Sequence, residues 1–262
     1  MTLTESNYYS NEANQIYLSV SQYKRFRECE AAAMAEIEGR WIRPKTTALL
    51  VGSYVDSWFE GTLDDFRKAN PEIFKKDGKL KSEFVLAEEL IERVQQDDLF
   101  MDYMSGEKQH IFTAELFGAK WKIKIDSLLP DRIVDLKVMR SMERIMGKSF
   151  VEHWGYDLQM AIYAAVYRAV TGKTLDTYLA VVTKQDPPDL EVIEVPEWRR
   201  IELLEEVKKY TPRILLLKSG EATPERCGVC DYCRATKKLV EPIDFELVGL
   251  SNAERRAIFG EL

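Results

Sequence analysis

The chain has 262 residues, 45% hydrophobic and 31% charged, the profile of a soluble globular protein with ample material for a core. No apolar run approaches the roughly 20 residues that span a bilayer, which excludes a membrane-spanning role. A formal net charge of -7 argues against a general nucleic-acid coat, yet it leaves room for an enzyme whose cleft gathers carboxylates and lysines.

Residues 1–17 are polar and acidic, carry no signal peptide and are expected to be a flexible terminus; a cytoplasmic location follows. Ser19 and Gln22 are spaced as a capping box, opening a helix expected to run through Cys29 and the alanines 31–33. "TTALLVGSYVDSWFEG" reads as a second helix, with Leu49, Ser53, Asp56 and Glu60 near one stripe. The charged stretch 64–80, broken by Pro71 and Gly78, reads as a surface excursion. Residues 82–100 are amphipathic, with Phe84, Ala87, Ile91 and Val94 at helical spacing.

The period then changes to two. "HIFTAELF" and "KWKIKIDSLL" alternate around a Gly118-Ala119 break, which predicts a hairpin. Trp121, Ile123 and Ile125 take one face and Lys122, Lys124 and Asp126 the other. A strand "RIVDLKV", a helix from about 153 to 171 ending at Gly172, two strands around "QDPPD" and a helix of about 197–218 complete the pattern. The expectation is a single α/β domain over 1–262, with a central mixed sheet flanked by helices.

Asp135 and Lys137 lie two residues apart in an apolar strand, so both point to one face, about 6.6 Å apart. Opposite charges in such a run are costly to bury unless they meet partners, a metal or water. If the neighbouring strand pairs through 127–132, Asp126 converges on them, and Glu115 could add a third acid. Carboxylates with backbone carbonyls suit Mg2+ or Mn2+, and a nearby lysine can hold water or neutralise charge on phosphate oxygens. The same D-x-K pattern also arises as a surface ion pair at a strand end. Gln159 and Tyr163, four residues apart, stack on one helix face, equally consistent with the polar edge of an amphipathic helix.

Taken in order, Gly52-x3-Asp56, Asp126, "DLK" at 135–137 and Gln159-x3-Tyr163 resemble the PD-(D/E)XK nuclease superfamily, with its restriction-endonuclease-like fold. Within it the chain looks like the RecB-type branch, most closely the phage-type exonucleases similar to exonuclease VIII (RecE). The resemblance covers roughly residues 18 to 235. It implies that Asp126, Asp135 and the Leu136 carbonyl ligate Mg2+ or Mn2+, that Lys137 positions the attacking water, and that Gln159 and Tyr163 shape the site by the scissile phosphate. Asp56 stands where many RecB-type nucleases carry a metal-binding histidine. The implied activity is DNA exonuclease action, on a duplex end or single strand, in phage recombination or repair. A single-strand annealing protein and a homo-oligomer are the implied partners. Alternatives are a DNA- or protein-binding module with a degenerate site, and a CRISPR-adaptation or repair nuclease.

Cys29 stands alone, whereas Cys227, Cys230 and Cys233 form C-x2-C-x2-C. In a reducing compartment such a set is more often metal-binding or redox-active than disulfide-forming. Free thiols, with Cys29 a small core residue, are the simpler alternative. One N-terminal and three C-terminal cysteines resemble the layout that holds a [4Fe-4S] cluster in some RecB-type nucleases, although the last interval is shorter here. Zn2+ is the other group four thiolates suit, and the 227–233 knuckle is expected to pack back on Cys29. "YKRFR" (23–27), "RWIRPK" (40–45), Lys122, Lys124 and "RATKK" (234–238) are candidate phosphate contacts. Trp41 or Tyr54 could stack on a base. The only histidines, His110 and His153, fit no nucleophilic apparatus, and no P-loop motif is present.

Overall fold

The computed structural model describes residues 1–44, 46–239 and 242–259. In chain order the helices and strands are α1 Asn11–Ile16, α2 Val20–Glu28, α3 Glu30–Ile37, α4 Thr47–Phe59, α5 Leu63–Ala69, α6 Ser82–Gln95 and α7 Asp98–Tyr103. Next come β1 His110–Leu116, β2 Ala119–Ile125, β3 Ser127–Leu128, β4 Arg132–Met139, α8 Phe150–His153, α9 Tyr156–Thr171, β5 Asp176–Thr183 and β6 Leu190–Glu194. The chain ends with α10 Glu197–Ser219, α11 Asp231–Ala235 and α12 Asn252–Phe259. Among the described residues no helix is long and apolar enough to cross a membrane.

The chain divides into two compact units. The larger comprises Pro44–Glu115 and Lys122–Val207 and contains the sheet β3-β4-β5-β6. β4 runs parallel to β5, and the β3–β4 and β5–β6 pairs are antiparallel, so the sheet is mixed. Val134, Leu136, Ala180 and Val182 share a core with Val51, Tyr54 and Val55 of α4 and with Phe84, Leu90 and Ile91 of α6. Side chains at a period of two therefore commit Asp135 and Lys137 to the face away from that core. Each fully buried aliphatic chain there contributes about 1.5–3 kcal/mol. The charged stretch after α4 is less superficial than its composition suggests. It forms α5 and a short 3-10 turn, and Ile73 within that turn is fully buried.

The turn between β1 and β2 has both central residues, Phe117 and Gly118, at positive φ (55° and 79°), the backbone that matches strand twist in a tight hairpin. β3 is held by a close approach. Ser127 Oγ accepts from the Gly106 N–H at 2.9 Å and donates to the Tyr103 carbonyl at 3.0 Å. A Cβ on Gly106 would stand 2.5 Å from the Leu128 carbonyl oxygen. Gly106→Ala is therefore expected to cost about 1–3 kcal/mol, read as a lower midpoint in urea denaturation; an unchanged midpoint would refute the packing described.

The smaller unit joins Met1–Arg43, Leu116–Trp121 and the chain from Lys208 onward. Ser10 caps α1 by accepting from the Ala13 N–H, so part of the polar terminus is helical. Ser19 caps α2, accepting from the Gln22 N–H at 3.3 Å. The Gln22 side chain does not return to Ser19 as a full capping box requires; it donates to the Asn14 carbonyl at 3.0 Å. The helix expected to continue through Cys29 instead stops there. Cys29 is extended (φ -165°, ψ 105°) and separates α2 from α3. Propensity alone would carry the alanine-rich run through, but tertiary bonds override it. Glu30, buried, accepts from Arg213 Nε and Nη2 at 3.0 and 2.8 Å, from the Tyr210 hydroxyl at 3.0 Å and from the Glu225 N–H at 2.9 Å. Burial pushes the Glu30 carboxyl up, but these donors more than offset it and hold it below the usual range.

Lys218 on α10 donates to the Asn14 and Tyr17 carbonyls at 3.0 and 3.1 Å, and burial brings its ammonium down to about 8. Unfolded, the amine titrates near 10.5. Between these values the unfolded chain binds more protons, so this group adds stability as pH rises from about 8 towards 10.5, and nothing further below 8. The stability of wild type relative to Lys218→Met should therefore rise between pH ~7 and pH ~9.5 in parallel urea titrations. A constant difference would refute it.

Candidate active site and a four-cysteine cluster

Within the larger unit the β3–β4 register pairs Ser127 with Val134, which sets Asp126 beside Asp135. Asp126 Oδ2 accepts from the Leu136 N–H at 3.0 Å, leaving its second oxygen outside that bond. Asp135, buried in the middle of β4, accepts from Gln159 Nε2 at 2.5 Å through Oδ1. Its Oδ2 forms an ion pair with Lys137 Nζ but receives no well-directed hydrogen bond. Lys137 Nζ also lies 4.8 Å from the centre of the Tyr156 ring, a cation–π arrangement. The Tyr156 hydroxyl donates to Met139 Sδ at 3.2 Å.

The electrostatics are those of a crowded acid group. Burial, Asp135 and Asp56 push the Asp126 carboxyl well above its ordinary value. Burial, Glu60 and Asp135 push Asp56 up to about 7, against the pull of Lys137 and Lys124. Burial works against the Lys137 ammonium, yet Asp135 and Asp126 win and raise it above the usual lysine value. Lys108 is lowered by burial, partly offset by Asp126, Asp56 and Glu60. Each close pair of like charges costs on the order of 4 kcal/mol at 4 Å and an effective dielectric of 20. A hard divalent cation would relieve that repulsion, and the carboxylate oxygens left outside directed hydrogen bonds are the donors it prefers. The residues fit Mg2+ or Mn2+.

The sequence pattern thus brings Asp56, Asp126, Asp135, Lys137 and Gln159 together electrostatically or by direct contact. Tyr163, one turn beyond Gln159, is buried. Glu115 is exposed on β1, and no contact links it to the three aspartates. Tyr156 and Lys108 were not anticipated. Tyr156 precedes Gln159 by three residues and so shares its helix face, a signal the spacing carried; Lys108, in the connection before β1, has none.

Other expectations are corrected. Tyr54 is fully buried against Phe66 and Phe84 and cannot stack on a base. Trp41 is half-buried with an edge-on contact to Tyr232, and nothing in that packing contradicts its candidacy for stacking. Arg25 is buried and paired with Glu36 at 2.8 Å, so it is no phosphate contact. Lys122 is 1% exposed, so it is buried in mid-strand although Lys120 and Lys124 on the same face keep exposure. Lys45, at the end of "RWIRPK", lies outside the described residues.

In the smaller unit, Cys29, Cys227, Cys230 and Cys233 place their sulfurs within 4.8 Å of one another. The Glu225 carbonyl accepts from the Ala31 N–H at 2.9 Å, which draws the knuckle onto the α2–α3 break. Burial pushes the Cys29 thiol up and the Cys233 thiol to about 12. Burial acts the same way on Cys227, but the Val229 and Cys230 N–H groups bring it down to about 7.

A family model described as "PDDEXK-like domain of unknown function (DUF3799)" matches residues 19–236. The chain belongs to this family. The PDDEXK-like domain is also similar to a solved structure, at 2.19 Å, of a protein from Eubacterium rectale named "Putative exonuclease". The two share 50% identity over 95% of this chain and 99% of that one, with a TM-score of 0.91. A further solved structure, SSO0001, covers 84% of the chain and 95% of its own at 14% identity, with a TM-score of 0.31, too low to carry an argument. No curated protein matches.

Proposed function

We propose that this PDDEXK-like domain is a divalent-cation-dependent deoxyribonuclease that hydrolyses DNA phosphodiesters from an end. The observation that carries this reading is the convergence of Asp56, Asp126 and Asp135 with a charged Lys137. Asp126, Asp135 and the Leu136 carbonyl would hold Mg2+ or Mn2+, with Asp56 contributing in place of the family histidine. The bound cation supplies Lewis-acid polarisation of the phosphate and a lowered pKa for bound water.

The chain's own residues do the rest. Gln159 fixes one oxygen of Asp135 and the Leu136 N–H fixes one oxygen of Asp126, so both carboxylates are oriented before substrate arrives. Asp135 and Asp126 favour the charged form of Lys137, and as a cation beside these carboxylates it would orient the attacking water and stabilise charge on phosphate oxygens. The Tyr156 ring keeps the ammonium over the site. Attack from an end draws its support from the resemblance to exonuclease VIII-like enzymes and from the name of the Eubacterium rectale protein. A recombination role of phage type, exposing a strand for an annealing protein and using a homo-oligomer, extends the same resemblance.

The test is digestion of linear duplex labelled at the 5′ or the 3′ end, with closed circular duplex alongside, in Mg2+ or Mn2+. Wild type should consume the linear DNA, spare the circle and lose activity on chelation or with Asp135→Asn. Equal consumption by wild type and Asp135→Asn, or by neither, would refute hydrolysis at this site; cutting of the circle would refute the end requirement.

A further inference from the structure

We infer that Cys29, Cys227, Cys230 and Cys233 bind one tetrahedral Zn2+ ion, and not the [4Fe-4S] cluster that the resemblance implies. The distances carry the distinction. Cys29 Sγ lies 3.7 Å from Cys233 Sγ, and Cys227 Sγ lies 3.9 Å from Cys233 Sγ; all four sulfurs fall within 4.8 Å of one another. Four thiolates each about 2.3 Å from one zinc stand about 3.8 Å apart in an ideal tetrahedron. In a cubane each thiolate binds its own iron at a separate corner, so the four sulfurs surround a body several atoms across and cannot crowd this closely. The donors present meet the demands of one atom and leave no space for eight.

Local geometry agrees with this. The first x2 interval turns back through Gly228 at φ 86°, and the second runs from Cys230, the N-cap of α11, to Cys233 in its first turn. A Cβ on Gly228 would also meet Asn252 Oδ1 at 2.9 Å. Backbone donors point at the sulfurs: the Cys230 N–H reaches Cys227 Sγ at 3.3 Å and the Cys227 N–H reaches Cys29 Sγ at 3.4 Å. Such bonds orient ligands and favour the thiolate form. Ala31, Ala32, Ala35 and Tyr232 form an apolar collar with Trp41 against it. Four soft donors with no position left for water suit a closed structural zinc site. The ion would fasten the α2–α3 break to the C-terminal knuckle within the smaller unit. This inference is independent of the nuclease reading and survives its failure.

The test uses the full chain expressed in medium supplied with both iron and zinc, purified anaerobically without chelator. Elemental analysis should give one zinc per chain, with no acid-labile sulfide and a colourless solution. Titration of the thiols with a mercurial should release that zinc in step with sulfur modification. Cobalt exchange should produce the visible absorption of a tetrahedral thiolate site. Cys230→Ser should lose zinc affinity by at least tenfold. Because that variant could also misfold, Cys230→His supplies a second arm: it should retain zinc as a Cys3His site. Four irons with labile sulfide, one iron in place of zinc, or a metal-free chain with four reactive thiols would each overturn the proposal.

Discussion

Asp126→Asn should sharply reduce DNA hydrolysis and, in cation-free buffer, raise the melting temperature. Asparagine is isosteric, and its carbonyl oxygen can keep accepting from the Leu136 N–H as Asp126 Oδ2 does. What is removed is a charge that burial, Asp135 and Asp56 all oppose. Activity should fall by ~10^3-fold, the scale of losing one preorganised electrostatic group. Stability should increase, because a buried like-charge repulsion is gone. Added Mg2+ should then stabilise the variant less than wild type, since the cation has less repulsion to relieve. Initial rates on end-labelled duplex and parallel thermal melts, with and without Mg2+, give both readouts. A lower melting temperature with intact activity would mean that the aspartate is an ordinary structural hydrogen-bond acceptor.

Lys137→Met should have the opposite effect on stability and the same effect on rate. The lysine side chain is 15% exposed and that of Asp135 is 3%, so truncation leaves Asp135 without its buried counter-charge beside two further carboxylates. Removing one partner of such a pair costs roughly 3 kcal/mol. Methionine fills similar volume along β4, so the loss reports charge more than packing. Turnover should fall by ~10^2–10^3-fold, and Mg2+ should recover more melting temperature here than in wild type. Lys137→Arg should not restore activity, because a planar fork cannot replace a point charge over the Tyr156 ring. Were both variants to shift stability in the same direction, the account of the site as a repelling acid group balanced by lysine would fail.

The contrast between these variants shows what could be read from the chain. The period of two fixed Asp135 and Lys137 to one face, and the pairing of β3 with β4, expected across the short stretch 127–132, brings Asp126 alongside. Both follow from local geometry. The mixed sheet was likewise legible from the alternation of short strands with helices. The failures share one cause, which is that exposure is decided by distant parts of the chain. Tyr54 looked available for stacking until Phe66 and Phe84 enclosed it. Lys122 sat on a face that alternation assigned to solvent, yet at its own position it is buried. Cys29 lies in an alanine-rich run whose propensity favours an unbroken helix, and bonds from Arg213, Tyr210 and Glu225 to its neighbour Glu30 override that preference. Tyr156 was within reach of the spacing argument, whereas Lys108 depends on a connection that carries no periodic signal.

The smaller unit is assembled from the beginning of the chain, a hairpin turn and the end of the chain. This sets an order of events during synthesis. Cys29 emerges 198 residues before Cys227, an interval of about 10–40 s at ordinary elongation rates. Throughout it the first thiol has none of its three partner cysteines, and the Glu30 carboxylate waits for Tyr210, Arg213 and Glu225. The larger unit, complete at Val207, has all its segments available before the smaller one can close. The last stretch of chain thus acts as a clasp that can fasten the smaller unit only after every strand of the site-bearing sheet has emerged.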